Sequence, residues 1–155
     1  MKGDWSDWMF FVKEQLISIP GKSGVYEFRC TDGNGHPMLI DRLNGKDKEG
    51  IIYIGSSEDL KKRINGFWKT IEQQDRSRHA AGWTYCSFGY NDILPPNHLQ
   101  FRFKMVSNIT GDEFDLLLEY RRQFMDLPPL NSNRPPYPRD WKTRMKEIFG
   151  RIPLE

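Results

Sequence analysis

The chain has 155 residues with a formal net charge of +2, and 37% of its residues are hydrophobic, 14% aromatic and 28% charged. This length and apolar content predict one folded domain over residues 1–155, because two independent cores need a longer chain. No apolar run approaches the roughly 18 residues of a membrane-spanning helix, so membrane insertion and a membrane partner are not expected. The first residues interleave aromatic with charged side chains, which is unlike a signal peptide.

Two cysteines, Cys30 and Cys86, lie in segments typical of strands and lack the spacing of a metal site. We interpret them as reduced thiols in the core of a cytoplasmic protein. Charge is distributed unevenly, since residues 61–78 and 134–151 each contain six basic and two acidic side chains. These segments are either basic surfaces that contact a polyanion or solvated helix faces, and the sequence leaves both open.

The first third of the chain predicts a helix, a strand and a long connection. Segment 4–18 has apolar residues near helical spacing, which predicts an amphipathic helix that ends before Pro20. Residues 24–30 alternate apolar with polar side chains, as in a half-buried strand. The residues on one face of that strand are Tyr26, Phe28 and Cys30. Segment 31–50 is rich in turn residues, with a short extra strand expected within 37–43.

A short buried strand followed by a helix forms the centre of the pattern. Residues 51–55 predict a strand that pairs antiparallel with strand 24–30, and Gly55 then allows a sharp turn. Ser56 or Ser57 can cap the following helix. The apolar stripe of that helix contains Leu60, Ile64, Phe67 and Ile71. A phenol from Tyr53 and a guanidinium from Arg63 can therefore share one cleft.

The second half of the chain predicts two more strands and two helices. Segments 81–88 and 99–106 alternate as strands do, although Gly82 is unusual inside a strand. The spacing of Thr110 and Glu113 is that of a capping box at the start of a helix. Its apolar face is assigned to Phe114, Leu117, Leu118 and Met125, with Glu119 at the edge of that face. A last helix is predicted over 140–149, with Asp140 as its cap and Gly150 as its end.

This arrangement could bring together five polar side chains, namely Tyr26, Tyr53, Arg63, Glu119 and Asn131. Each also has an ordinary explanation when it is taken alone. The tyrosines can be half-buried strand residues, and Glu119 can pair with Arg122 or Gln123 on its own helix. Asn131 can be a simple turn residue.

At these residues the sequence resembles the GIY-YIG endonuclease family. Gly24-Val25-Tyr26 matches the GIY element with valine in place of isoleucine, and Tyr53-Ile54-Gly55 is the YIG element unchanged. Segment 57–63 is similar to the one that ends in the family's catalytic arginine. Leu118-Glu119 resembles the metal-binding glutamate, and Pro129-Leu130-Asn131 the terminal asparagine. Five elements in the right order are a specific signal, whereas one alone would be weak.

The resemblance covers about residues 23–133 and implies an α/β (α+β) fold, with a small three-stranded antiparallel sheet flanked by helices. It also implies hydrolysis of a DNA phosphodiester with Mg²⁺, for which Mn²⁺ is expected to substitute, held by Glu119 and the substrate phosphate. Arg63 would stabilise the developing negative charge. Tyr53 would orient water or phosphate. Tyr26 would accept a proton or only position water, since a free phenol has a pKa of about 10.

One position departs from the family pattern. Many members have a histidine or tyrosine four residues after the arginine, where this chain has Phe67. His79 lies in a basic loop and either reaches the phosphate in its place or is simply solvated.

The chain leaves no separate segment for a DNA-binding domain, so target recognition would come from residues 31–50, 72–98 or 134–151, or from a partner. Because compact members with such insertions include restriction enzymes, we expect a restriction-like DNA endonuclease, acting alone or as a homodimer on DNA. The alternatives are a structure-specific or nicking nuclease of repair or phage type, and a nucleic-acid-binding module without catalysis.

Overall fold

The computed structural model describes residues 3–73, 78–131 and 138–150. Its main sheet is antiparallel throughout and has four strands in the order β1-β6-β2-β5. A small second sheet pairs β3 with β4. The strands are β1 (Met9–Phe10), β2 (Gly24–Cys30), β3 (Ile40–Asp41), β4 (Lys46–Asp47), β5 (Ile51–Ser57) and β6 (Leu99–Met105).

Six α-helices accompany the sheets within the described residues, and a short 3₁₀ turn, Pro96–His98, precedes β6. The helices are α1 (Lys13–Leu16), α2 (Leu60–Gln73), α3 (Ala80–Ser87), α4 (Tyr90–Ile93), α5 (Ile109–Phe124) and α6 (Trp141–Phe149). The mixed α/β class is therefore confirmed, but the sheet has four strands where three were expected. None of the helices in the described part of the chain is both long and apolar enough to cross a membrane.

The sheet separates two layers of core. One face, here called the α2 face, packs Tyr26 and Phe28 of β2 against apolar residues of α2. The opposite face, here called the α5 face, packs Ile51 and Ile54 of β5 against α5. Glu27 is also on the α5 face, because successive strand residues point to opposite sides. Side chains on α2 and on α5 are thus separated by the sheet unless they reach around its edge at β5.

The predicted N-terminal helix over 4–18 is wrong, since only four residues, Lys13–Leu16, form α1 and Met9–Phe10 form β1. The reason is Phe11, which is fully buried and donates its backbone N–H to Leu99 O at 2.9 Å. Its ring makes edge contacts with four aromatic rings, those of Phe28, Phe67, Trp68 and Phe101. Burial of this ring outweighs helical spacing, because propensity is a weak preference beside aromatic packing.

The strand predicted over 81–88 is also wrong, because the segment forms α3. Gly82 approaches α2 so closely that an added Cβ would lie 3.2 Å from Thr70 Cβ, so its lack of a side chain serves helix packing. Cys86 therefore lies on a helix, while Cys30 lies on β2 as expected, and both thiols are free.

The remaining helices follow the sequence pattern with small differences. Helix α5 begins one residue before Thr110, with Asn108 as the cap that accepts from Gly111 N at 3.1 Å. Met125 follows α5 in a left-handed conformation and is exposed, so it does not belong to the apolar face. Helix α6 is confirmed, although the side chain of Asp140 pairs with Arg144 and does not cap it. Residues 134–137 and 151 of the C-terminal basic segment lie outside the described residues.

The long connection before β5 is held by one buried carboxylate, Asp47. Its two oxygens accept backbone N–H groups of Glu49, Gly50 and Ile51 at 2.8, 3.2 and 2.9 Å. The Tyr120 hydroxyl of α5 also donates to it, at 3.0 Å. Segment 44–50, expected to be an ordinary polar loop, is therefore anchored to both β5 and α5.

We expect Asp47→Ala to lower the free energy of unfolding by about 3 kcal/mol, because it leaves several buried donors without an acceptor. Urea denaturation measures this change. Asp41→Ala is the matched control, since Asp41 pairs with Lys46 at an exposed position of the same small sheet and should cost little. Equal losses in the two variants would contradict the anchoring role of Asp47.

Candidate active site

Two phenols meet on the α2 face near the end of β5. Tyr26 is fully buried and Tyr53 half-buried, and their ring centroids lie 5.9 Å apart. Gly55 pairs with Tyr26 across the two strands, and an added Cβ would lie 2.7 Å from Cζ and Oη of Tyr26. Gly55 was predicted to end its strand in a turn, but β5 continues to Ser57. The absence of a side chain at Gly55 makes room for the two phenols.

Arg63 reaches the same place from the second turn of α2. Burial raises the pKa of Tyr26 well above its ordinary value, and the Arg63 guanidinium opposes this through charge and hydrogen bonding. Burial likewise raises the pKa of Tyr53, again against the charge of Arg63. The three side chains therefore form one electrostatic unit, in which both phenols keep their protons at neutral pH.

His79 joins this unit from the N-terminus of α3 and is almost fully buried. Its Nε2 lies 2.9 Å from the Tyr26 hydroxyl, and its Nδ1 accepts the backbone N–H of Gly82 at 3.2 Å. Burial, together with the Arg63 charge, lowers the pKa of His79 to about 3, so the ring is neutral. The expectation of a phosphate contact or of a solvated side chain is therefore wrong, because the imidazole is enclosed among aromatic rings.

A carboxylate reaches the unit from α5, and it is that of Glu113. The Ser56 hydroxyl of β5 donates to its Oε2. Burial raises the pKa of Glu113, while the Ser56 hydrogen bond and the Arg63 charge lower it. The charge of Glu113 in turn raises the pKa of Tyr53. Ser56 shares the α5 face with Ile54, so the carboxylate of Glu113 acts on Tyr53 and Arg63 through its charge from that side of the sheet.

Among the described residues no interaction joins Glu119 to Arg63 or to either phenol, and its role as the metal-binding glutamate stays a prediction. Its side chain is exposed and lines a groove of about 850 Å³ on the α5 face, together with Glu27 and Ile54. Helical phase separates the two carboxylates, since residues six apart on an α-helix point about 120° away from each other around the helix axis. Glu113 lies four residues before the buried Leu117 and so belongs to the side of α5 that faces the sheet.

Asn131 lies beside the site but is directed at the backbone of β5. Its Oδ1 accepts from Ile54 N at 3.0 Å, and its Nδ2 donates to Ile54 O at 2.8 Å. It therefore holds Ile54, the strand residue that follows Tyr53. Its hydrogen bonds do not include the phenols or Arg63.

The donor set suits a hard divalent cation. The side chains around Arg63 offer carboxylate, hydroxyl and phenol oxygens from Glu113, Ser56 and Tyr53, and Mg²⁺ prefers oxygen ligands. No cluster of three or more His, Cys, Asp or Glu side chains occurs within residues 3–73, 78–131 and 138–150. Mg²⁺ commonly uses one or two carboxylates, with substrate phosphate and water as its other ligands. Glu113, whose charge acts on Tyr53 and is acted on by that of Arg63, fits this role.

Comparisons of the chain with protein-family models, with curated proteins and with solved structures give no match. The resemblance to the GIY-YIG endonucleases therefore depends on the residues of this chain and on their arrangement.

The neutral, buried state of His79 predicts a pH dependence of stability. An unfolded histidine has a pKa of about 6.5, so between about pH 6.5 and pH 3 the unfolded chain binds a proton that the folded chain does not. The free energy of unfolding should therefore fall with decreasing pH, by about 1 kcal/mol per pH unit from this residue. Urea denaturation between about pH 7 and pH 5 should show a smaller slope for His79→Asn. Equal slopes would contradict a buried neutral imidazole.

Gly55→Ala should lower the free energy of unfolding by about 1–3 kcal/mol, because its Cβ forces the phenol of Tyr26 out of position. Gly66→Ala is the matched control, since the nearest atom to a Cβ there is Arg78 O at 3.4 Å in a helical segment. That substitution should be neutral or stabilising. Thermal unfolding of both variants measures the difference, and an unaffected Gly55→Ala would contradict the close approach.

Proposed function

We propose that the chain is a divalent-metal-dependent DNA endonuclease that hydrolyses phosphodiester bonds and is related to the GIY-YIG family. The observation that supports this is the placement of Tyr26, Tyr53 and Arg63 together at one end of the sheet, with the charge of Glu113 acting on Tyr53 from a fourth element. A structural role alone gives no reason to place two phenols and a carboxylate near a half-buried guanidinium. Phosphodiester hydrolysis needs a group of this chemistry.

The residues can be given roles from their exposure and their partners. Arg63 binds a non-bridging phosphate oxygen and stabilises the negative charge that develops there, for which a fixed guanidinium is well suited. Tyr53 is the phenol that remains half-exposed, so it contacts water or phosphate. Tyr26 is fully buried and keeps its proton, so it orients its neighbours and does not act as the base that was considered from the sequence.

Glu113 is the residue that would hold the cation. A bound Mg²⁺ would supply polarisation of the scissile phosphate and stabilisation of the leaving oxygen. The Ser56 hydroxyl donates to one oxygen of Glu113 and so fixes the carboxylate beside β5. Because Ser56 and Tyr53 belong to the same strand, the carboxylate and the exposed phenol keep a fixed separation.

Basic side chains beside the site support a polyanionic substrate. Lys61 and Lys62 are exposed on the first turn of α2, directly before Arg63. Contacts of this kind with phosphates make binding strongly salt-dependent. Within the 72–98 segment, α3 packs against α2 and brings His79 to the site, so this insertion builds the active site. Recognition then falls to the 31–50 connection and the C-terminal basic segment, or to a partner such as a second copy on DNA.

The test is cleavage of plasmid and phage DNA with and without Mg²⁺, comparing Glu113→Gln with Glu119→Gln. We expect Glu113→Gln to reduce cleavage at least about 100-fold, because an amide is a poor ligand for a hard cation. Glu119→Gln is the matched control at an exposed position of the same helix and should cut like the parent.

Loss of cleavage in Glu119→Gln alone would reverse this assignment. A discrete fragment pattern favours a restriction-like enzyme, whereas preference for branched over linear DNA favours the structure-specific alternative. Salt-sensitive binding without any metal-dependent product would leave only a nucleic-acid-binding module and would overturn the proposal.

A further inference from the structure

The imidazole of His79 makes two hydrogen bonds that together define its tautomer. Nδ1 accepts the backbone N–H of Gly82 at 3.2 Å, so this nitrogen carries a lone pair and no hydrogen. A neutral imidazole has one N–H, which must then be on Nε2. Nε2 lies 2.9 Å from the Tyr26 hydroxyl and therefore donates to its oxygen. The direction of the contact is thus set by a backbone amide of α3.

This donor constrains the proton of Tyr26. A hydroxyl that accepts from His79 must direct its own hydrogen elsewhere. The polar side chains beside Tyr26 are Arg63, which can only donate, and Tyr53, whose ring centroid lies 5.9 Å from that of Tyr26. Tyr53 is therefore the neighbour whose oxygen can accept the hydrogen of Tyr26.

We infer that His79 is a positioning residue whose Nε2–H starts a one-way hydrogen-bond chain through Tyr26 to Tyr53, so that Tyr53 presents its hydroxyl proton to a substrate phosphate. The chain runs from Gly82 N–H to His79, from His79 to Tyr26 and from Tyr26 to Tyr53. The Tyr53 oxygen accepts from Tyr26, so its hydrogen is free to point outwards into the cleft. The role in substrate binding rests on the proposed function, whereas the order of the hydrogen bonds does not.

The packing around His79 maintains the direction of these hydrogen bonds. The Phe67 ring lies 4.8 Å from the imidazole between centroids, and the rings of Tyr53 and Tyr26 lie at 5.5 and 6.3 Å. The charged group that faces His79 is Arg63, which disfavours an imidazolium. The imidazole is thereby held neutral, which leaves Nε2 as its one donor.

Two substitutions separate the two hydrogen bonds of His79. His79→Asn keeps an oxygen that can cap α3 by accepting from Gly82, but it is too short to reach Tyr26. His79→Gln can reach Tyr26 with an amide N–H but is a poor cap. We expect His79→Asn to reduce cleavage at least about tenfold and His79→Gln to retain most of the cleavage, whichever of the two variants has the higher melting temperature. A purely structural role for His79 predicts the reverse order, and that result would overturn the inference.

A double-mutant cycle tests whether His79 acts through Tyr53. Tyr53→Phe removes the hydroxyl that contacts the phosphate, so adding His79→Asn should cause no further loss. Additive losses would mean that His79 acts elsewhere, and the inference would fail.

Nitrogen-15 NMR of the imidazole tests the hydrogen-bond order without any activity. We expect an unprotonated Nδ1 and a protonated Nε2 at neutral pH in the full chain, and the opposite tautomer would overturn the inference. If the parent protein cuts no DNA but shows this tautomer, the proposed function fails while the hydrogen-bond order stands.

Discussion

The site depends on the burial of one phenol. Tyr26 is fully enclosed between the sheet and α2, and a buried hydroxyl without partners would cost several kcal/mol. Two features of the chain make this burial possible. Gly55 leaves the space for the ring, and His79 supplies a hydrogen-bond partner from a distant element. Because both Tyr53 and Arg63 contact Tyr26, the positions of these two side chains follow from that of the buried phenol.

Helix α3 is explained by the same constraint. It brings His79 to the Tyr26 hydroxyl, and Gly82 serves twice, as a close contact with α2 and as the N–H donor to the imidazole. Phe67 stands where the resembled family often has a hydrogen-bonding side chain. Here the Phe67 ring packs on His79 and stacks on Phe28, with 4.5 Å between the ring centroids of the two phenylalanines. Position 67 therefore provides packing, and the hydrogen-bond donor is His79 of another element.

Much of the sheet and the long helices could be predicted from the sequence, because period-two and period-3.6 patterns reflect burial on one face. The predicted bounds of strands β2 and β6 and of helix α6 agree with the structure within one residue at each end. The segments that failed, 4–18 and 81–88, owe their conformation to contacts with distant residues. Phe11 enters an aromatic cluster, and His79 caps a helix while it contacts β2. The periodicity of a short stretch of sequence contains no information about either of these distant contacts.

The candidate site was predictable in part for the same reason. Tyr26, Tyr53 and Arg63 belong to adjoining elements whose relative placement follows from strand pairing and the next helix. The choice between Glu113 and Glu119 needed the phase of α5 relative to the sheet. Glu113 had been assigned to a capping box, although its place four residues before Leu117 put it on the buried side. His79 lies 53 residues from Tyr26, a distance that no local pattern spans.

Strand β5 is at the edge of the sheet, and an exposed edge is a template for pairing with another chain. Asn131 occupies both backbone groups of Ile54 with its side-chain amide, and the adjacent Leu130 N–H binds Ile52 O at 2.8 Å. Residues 130–131 thus imitate a neighbouring strand without extending the sheet. This short backbone mimic shields the middle of the β5 edge from self-association, while the end of the strand that carries Ser56 stays open towards the cleft.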